Sequence, residues 1–134
     1  MKGHARQLMK TAVQVASPAT TIAEAARLLA HADITSLPVV DANGKVVGIV
    51  TESDLLTVLL RSSVVSVPIE TIMRSPVYTV DEFTPTDTVI RLLQEKGVHH
   101  LPVTRQGMVV GLITPQEVIR YFVDHQLPPP PQAA

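Results

Sequence analysis

Short apolar runs alternate with amphipathic segments along the chain, and this alternation predicts a mixed α/β fold. After Thr21, alanines and leucines recur at helical spacing, and Glu24 completes a capping box that predicts the helix start. The apolar runs at 37–40 and 46–50 predict two strands, and the second is continuous enough to indicate burial on both faces. An Asn-Gly pair between them predicts a hairpin turn, and a further helix is predicted at 52–60.

The same pattern occurs a second time. Leu-Pro-Val at 37–39 recurs at 101–103, an offset of 64 in the numbering, and Val-Val-Gly at 46–48 recurs at 109–111, an offset of 63. The single lost residue falls in a hairpin turn, where a change of length is tolerated. We therefore predict two copies of one unit, at 8–62 and 71–126, each with the order strand, helix, strand, strand, helix.

The element boundaries in the second copy follow the same reasoning. Extended pieces are predicted at 13–15 and 77–80, one ahead of each copy's first helix. In the second copy Thr84 is predicted as the N-cap with Pro85 at the first helical position. Strands are predicted at 101–104 and 108–113, and the closing helix at 115–123.

One copy of about 55 residues buries too little surface to be stable alone. The two copies are therefore predicted to pack sheet to sheet about a pseudo-two-fold axis, with a cleft between them. The segment 127–134 contains four consecutive prolines and no apolar periodicity. It is predicted to be a disordered tail.

Composition excludes several classes of function. The 11 Lys+Arg and 12 Asp+Glu give a net charge of -1, which argues against a nucleic-acid partner. The absence of cysteine excludes disulfides, cysteine nucleophiles and thiolate metal sites. No apolar run approaches the ~20 residues of a membrane span, and the first residues do not resemble a signal peptide. We expect a cytoplasmic protein without a membrane partner, whose core is aliphatic because aromatics are only 3%.

The junction of the second strand and the following helix is the sharpest candidate for a ligand site. Free N–H groups at a helix N-terminus attract phosphate, and the hydroxyl of Thr51 can donate a hydrogen bond to a phosphate oxygen. The carboxylate of Asp54, one turn into the helix, can accept both hydroxyls of a ribose. The alternative is that Thr-x-x-Asp is only a capping box, which stabilises a helix by roughly 1 kcal/mol without any ligand.

The residues at 34–41 and 43–55, with those at 73–80 and 97–103, resemble a pair of cystathionine-beta-synthase (CBS) domains, also called a Bateman module. The resemblance covers nearly the whole chain except the tail, so we expect a module that stands alone. It implies adenosine-containing ligands in the cleft, and pairing of two modules into a flat disc.

The resemblance also implies roles for individual residues. Thr51 is expected toward phosphate and Asp54 toward ribose, with Ser53 between them in the same motif. In the second copy Thr114 and Glu117 stand at the matching places, but the family would have Asp where this chain has Glu. The longer side chain reaches about one bond further into the ribose space, so we expect two unequal sites.

Further candidates precede the Leu-Pro-Val motifs and the second copy's first helix. His99 or His100 is expected near phosphate, although only one of two neighbours on a strand can face the cleft. The alternative is a half-packed, exposed histidine. Val77, Tyr78 and Ile34 are expected as walls around adenine, and Ser36, within the first quoted motif, completes the candidate set.

These expectations define two hypotheses. The first is a regulatory module that senses AMP, ADP or ATP and forms a homodimer, with no resident cofactor and no metal. The second is a ligand-free adaptor that dimerises and docks on another protein, in which the two threonine motifs are only helix caps. No phosphate-binding glycine-rich loop, nucleophile elbow or catalytic pair is indicated by the spacing, so we do not expect an enzyme.

Overall fold

Each copy of the sequence pattern forms a small sheet with flanking helices in a computed structural model that describes residues 3–61 and 65–131. The helices are α1 (Ala5–Leu8), α2 (Ile22–Ala32), α3 (Glu52–Arg61), α4 (Thr86–Glu95) and α5 (Pro115–His125), with a 3-10 helix at Ile69–Thr71. The strands are β1 (Ser36–Val40), β2 (Val46–Thr51), β3 (Val80–Asp81), β4 (Leu101–Arg105) and β5 (Met108–Ile113). The predicted mixed α/β class is confirmed.

The two sheets differ in their first strand. Strands β1 and β2 pair antiparallel, as do β4 and β5, but only the second sheet has a third strand, β3, parallel to β4. The strand predicted at 13–15 is wrong, because the segment ahead of α2 pairs with β1 only through an isolated bridge from Ala16 to Val39. Shortly after Ala16 stands Pro18, which has no N–H, whereas the matching Glu82 donates its N–H to Thr104.

The helix starts show one correct and one wrong prediction. The Thr21 side chain accepts a hydrogen bond from the Glu24 N–H at 3.1 Å, so the predicted cap of α2 is confirmed. For α4, Pro85 is the N-cap rather than the first helical residue, and Thr84 does not cap the helix. The reason is that Pro85 is held in an extended conformation by a bridge to His4, while the Thr84 carbonyl accepts a hydrogen bond from Ala5.

The two halves exchange the segments that precede them. Arg74, which leads into the second half, forms an antiparallel bridge to Ile49 and so extends the first sheet beyond β2. Lys10, which matches Arg74 at the repeat offset, forms the equivalent bridge to Leu112 and extends the second sheet beyond β5. Helix α1 follows the same exchange, since its buried Ala5 and Leu8 pack in the core of the second half.

Two glycines allow this exchange. A Cβ atom at Gly48 would overlap Met73 Sδ and lie 3.2 Å from the Arg74 carbonyl oxygen. A Cβ atom at Gly111 would overlap Met9 in the same way. Each exchanged segment therefore lies directly on the backbone of the strand that it extends, and only glycine leaves room for it.

Each half has its own aliphatic core. One core includes Ile22, Leu37 and Val50 and is covered by Ile69 of the 3-10 helix, and the other includes Leu101 and Ile113, all of these residues being fully buried. Within residues 3–61 and 65–131, no helix is long and apolar enough to cross a membrane.

The limits of the two repeats and the character of the tail stay predictions. Residues 128–131 are exposed and form no helix or strand. Residues 132–134 of the predicted tail, and residue 62 at the end of the first predicted repeat, lie outside the described residues.

Replacing Gly48 by alanine is expected to destabilise the protein by about 1–3 kcal/mol, because the added methyl group overfills the contact with the exchanged segment. The measurement is urea unfolding followed by circular dichroism. Combining Gly48→Ala with Met73→Ala removes part of the overlap, so we expect the effects of the two substitutions to be non-additive. An unchanged unfolding midpoint for Gly48→Ala would contradict the close packing of the exchanged segment.

Candidate functional site

Two pockets lie at equivalent places between the halves, one at the start of α3 and one at the start of α5. The first, called here the Thr51 pocket, has a volume of about 330 Å³. Its lining residues are Ile49, Thr51, Arg74, Pro76, Val77, Tyr78, Lys96, Gly97, Val98, His99 and His100. The second, the Thr114 pocket, is smaller, about 120 Å³, and its lining residues are Lys10, Ala12, Val13, Gln14, Asp33, Ile34, Thr35, Ser36, Leu112, Thr114, Gln116 and Glu117.

The equivalence of the pockets follows from the repeat. Nearly every lining residue of the Thr51 pocket has a counterpart in the Thr114 pocket. Lining residues from the first half correspond to residues 63 positions later, and those from residue 74 onward correspond to residues 64 positions earlier. Each pocket combines the end of a strand in one half with the segment that leads into the other half. The exchange of lead segments therefore builds both pockets.

At the start of α3 the side chains of Thr51 and Asp54 bond to each other. The Thr51 N–H and Oγ1–H both donate to Asp54 Oδ2 at 3.0 Å, and the Asp54 N–H lies 3.4 Å from Thr51 Oγ1. These bonds form a complete cap on the helix without a ligand. They also hold the Asp54 carboxylate, whose side chain is only 10% exposed, in a fixed position beside the pocket.

The second oxygen of Asp54 is paired with Arg74. Arg74 Nε donates to Asp54 Oδ1 at 2.9 Å, and the arginine side chain is 69% exposed. An exposed ion pair of this kind adds little to stability, on the order of 1 kcal/mol or less. The guanidinium group is therefore held over the pocket but can be drawn to another anion at little cost.

The Thr51 pocket is also lined by cations and imidazoles. Lys96, His99 and His100 follow one another at the end of α4 and before β4, and with Arg74 they place two permanent positive charges and two imidazoles in one pocket. His99 is exposed and His100 is half-buried. The Nδ1 atom of His100 is buried and has no hydrogen-bond partner among the described residues.

The surroundings of His100 shift its pKa. Burial lowers the pKa of His100 below its usual value of 6.5, and His99 lowers it further by repulsion. The carboxylates that face His100, those of Glu52, Asp54 and Glu117, act in the opposite direction but do not outweigh burial. His100 is therefore neutral at pH 7, and an anion placed beside it would favour protonation.

The Thr114 pocket repeats the cap but not the ion pair. The Thr114 N–H and Oγ1–H donate to Glu117 Oε1 at 2.9 and 2.6 Å. Lys10 occupies the place of Arg74, and within the described part of the chain it forms no ion pair with Glu117. The Ser36 side chain, at the place of His100, is buried, and its Oγ has no hydrogen-bond partner among the described residues.

The structure divides the candidate residues between the two pockets. Val77, Tyr78, His99 and His100 line the Thr51 pocket, with Tyr78 half exposed. Ile34 and Ser36 line the Thr114 pocket instead, so Ile34 does not share a site with Tyr78. Asp54 touches the Thr51 pocket through its bonds to lining residues, whereas Ser53 is exposed on α3 and lines neither pocket. Ligand contacts for all these residues stay a prediction.

Four charged lining residues were not predicted from the sequence. These are Lys10, Asp33, Arg74 and Lys96. The sequence did contain a signal for Lys10 and Arg74, because both are cations and they are separated by the repeat offset of 64. Within residues 3–61 and 65–131, no three histidine or acidic side chains are grouped so that they could hold a metal ion.

The chain matches a known family model in both halves. The model described as CBS domain matches residues 5–61 and again residues 69–124. A curated protein of Acidianus ambivalens, named "Uncharacterized 17.7 kDa protein in bps2 3′ region", is 32% identical over 119 residues, which are 88% of this chain and 72% of the relative. Inosine-5′-monophosphate dehydrogenases also match, but the chain spans only about a fifth of their length.

Two solved structures with bound ligands are similar throughout. The CBS domain pair of protein MJ0100, solved with 5′-methylthioadenosine and S-adenosyl-L-methionine, has a TM-score of 0.81 and 30% identity, covering 91% of this chain and 97% of that one. The protein CBSX2, solved with AMP, has a TM-score of 0.81 and 27% identity, covering 92% of this chain and 98% of that one.

The lowered pKa of His100 predicts a pH dependence of stability. The unfolded chain takes up a proton at His100 more readily than the folded protein, so this contribution is complete above about pH 6.5 and is lost as the pH falls toward the folded pKa. Between about pH 8 and pH 5, we expect the wild type to lose more unfolding free energy in urea than His100→Asn does. Equal losses in the two proteins would contradict the burial of a neutral imidazole.

Proposed function

The chain belongs to the CBS domain family, and we propose that it is an adenine-nucleotide sensor that binds AMP, ADP or ATP in the Thr51 pocket. The observation that carries the proposal is the pair of permanent cations, Arg74 and Lys96, that line one cavity together with two imidazoles. Phosphate oxygens are recognised by cations and by N–H donors of this kind. The cavity of about 330 Å³ lies within the size range of small-molecule sites.

The proposed binding mode uses the Arg74–Asp54 pair as an exchangeable contact. A phosphate group entering the pocket attracts the exposed guanidinium of Arg74 away from Asp54. Asp54 Oδ1 then becomes free to accept hydrogen bonds from ribose hydroxyls, while Oδ2 stays fixed by Thr51. Phosphate and ribose recognition are thus coupled, because the first group to bind releases the acceptor for the second.

The apolar part of the same pocket is suited to a purine. Ile49, Val77 and Val98 supply aliphatic surface, and Tyr78, which is half exposed, lies at the rim. In the proposed complex adenine lies between these side chains, with His100 close to the phosphate. Solved relatives with bound AMP or adenosyl ligands support this choice of ligand class.

The module reports occupancy through its shape and carries out no chemistry in this proposal. A ligand in the Thr51 pocket contacts both halves, so it stabilises the arrangement of halves that it binds best. A second protein that recognises this arrangement receives the signal. A cytoplasmic location, where adenine nucleotides are abundant, is part of the same proposal.

A homodimer formed by α3 and α5 belongs to the proposal. Both helices expose apolar side chains at matching positions, namely Leu56, Leu59 and Leu60 on α3 and Ile119, Phe122 and Val123 on α5. Leu60 is 78% exposed and Ile119 is 62% exposed. Contiguous apolar surface is typical of an interface, and a two-fold axis lets the same pair of helices meet its own copy.

The adaptor function stays as the second candidate because both caps are complete without ligand. Thr51 and Asp54 satisfy each other, as do Thr114 and Glu117, and these bonds alone explain why the residues are present. The exposed faces of α3 and α5 serve an adaptor equally well. The two candidates differ in whether a nucleotide binds at all.

Asp54→Asn is expected to weaken AMP binding at least about tenfold, because an amide is a poorer acceptor for ribose hydroxyls and leaves Arg74 unpaired. Its cost to stability is about 1 kcal/mol or less, the value of a weakened cap. Isothermal titration calorimetry with AMP gives the affinity. The matched control is Glu117→Gln, which alters the equivalent cap in the other pocket. Its charge is the weakest of the three carboxylates that act on His100, so we expect it to change this AMP affinity much less than Asp54→Asn does. Undiminished AMP binding by Asp54→Asn overturns the site, and no binding by the wild type favours the adaptor.

Leu60→Glu is expected to shift the protein from dimer to monomer, because it places a charge in the apolar interface. Light scattering after size exclusion gives the mass. The control is Val15→Glu, because Val15 is another exposed apolar residue and lies outside both helices. A wild type that is monomeric at all concentrations, or a Leu60→Glu variant that stays dimeric, contradicts the proposed interface.

A further inference from the structure

The charge of the Thr114 pocket is opposite to that of its twin. Among its lining residues Lys10 is the one permanent cation, and it faces the carboxylates of Asp33 and Glu117. The Thr51 pocket is lined by Arg74 and Lys96 with no carboxylate among its lining residues. One backbone framework therefore carries an excess of positive charge in one pocket and of negative charge in the other.

The two pockets also differ at the positions where phosphate is expected in the Thr51 pocket. Thr35 and Ser36 stand where the other pocket has His99 and His100, so both imidazoles are replaced by hydroxyls. Ser36 is only 2% exposed, and its Oγ, which has no hydrogen-bond partner among the described residues, lines the pocket. A buried polar group without a partner costs stability, and a ligand with a polar group would satisfy it.

Asp33 adds an anion at a place where the backbone favours glycine. Its φ of 54° lies in the left-handed region, and the equivalent residue in the other half is Gly97, with φ 60°. Aspartate tolerates this conformation better than most residues, but glycine adopts it without strain. The turn at this place therefore does not require the carboxylate that Asp33 adds.

Space for a ligand longer than a nucleoside continues outward from the Thr114 pocket. An adjoining cavity of about 470 Å³ shares Lys10, Asp33, Gln116 and Glu117 with it. This outer cavity adds Arg120 and Asp124, so both signs of charge are present, with carboxylates in excess. A ligand that fills both spaces would have its polar arm among these side chains.

We propose that the Thr114 pocket rejects phosphorylated nucleotides and binds an adenosyl ligand whose 5′ arm is positively charged and carries no phosphate. The inference rests on the proposed function for the recognition of adenosine and adds the charge selectivity of the second site. Carboxylates repel a phosphate and attract a sulfonium or ammonium group. The mixed charges of the outer cavity also match an amino-acid arm, which has both an ammonium and a carboxylate.

The test compares three probes that share adenosine and differ in the charge of the 5′ arm: AMP, 5′-methylthioadenosine and S-adenosylmethionine. In calorimetry we expect one AMP per wild-type chain, and S-adenosylmethionine binding to the AMP-saturated protein without displacing AMP. We expect 5′-methylthioadenosine to bind the same free site more weakly. Two equivalent AMP sites, displacement of AMP by S-adenosylmethionine, or equal affinity for the neutral probe would each overturn the proposal.

A reciprocal exchange of residues gives matched variants. The double variant Asp33→Gly with Thr35→His gives the Thr114 pocket the residues of the Thr51 pocket at two exposed positions. We expect the AMP stoichiometry of this variant to rise from one to two per chain. We expect S-adenosylmethionine to bind it about fivefold more weakly than the wild type. Gly97→Asp with His99→Thr makes the opposite change and should abolish the AMP site. Urea unfolding verifies that each variant is folded, and an unchanged ligand profile in folded variants overturns the proposal.

The outcomes separate this inference from the proposed nucleotide sensor. If AMP does not bind the wild type but S-adenosylmethionine binds and is weakened by the Asp33 variant, the nucleotide sensor fails and the charge selectivity stands. If AMP binds only at the Thr51 pocket and S-adenosylmethionine does not bind the AMP-saturated protein, the sensor stands and this inference fails.

Discussion

The close approach of one half's lead segment to the other half's last strand is the contact on which the molecule depends. At Gly48 and at Gly111 a methionine side chain of the incoming segment lies where a Cβ atom would otherwise be, and the bridges from Arg74 and Lys10 extend the two sheets. The same two cationic residues line the two pockets. Sheet completion and pocket formation are therefore one event, and neither half can present a finished pocket without the other.

The repeat made the fold predictable, because two copies of a periodic pattern constrain each other. The hairpins, the cap of α2 and the equivalence of the threonine motifs all follow from local sequence. The sequence predicted a first strand in both halves, and its absence from the first half could not be foreseen, since the missing N–H at Pro18 matters only once Glu82 is seen to use its own. The exchanged segments and the pairing of Arg74 with Asp54 were also out of reach, because they join residues whose proximity is set by tertiary packing.

Each cap has a second consequence for the pocket beside it. The bonds that start α3 fix one oxygen of Asp54 and leave the other to an exposed arginine, whereas the bonds that start α5 hold Glu117 without a cationic partner in the described structure. In the proposed complexes, the carboxylate that stabilises a helix is thus also the group that meets a ligand. These proposals link helix stability to ligand preference in both halves, but through different neighbouring charges.

The crossed lead segments have an implication for the origin of the chain. A single repeat with its own lead segment has the parts for a symmetric pair of separate subunits that swap their arms, and such a pair has two identical cavities by symmetry. Every substitution in that ancestor would appear in both cavities at once. A fusion of two such copies in one chain removes this restriction, because positions such as Asp33 and Gly97, or Ser36 and His100, can then differ on a common scaffold.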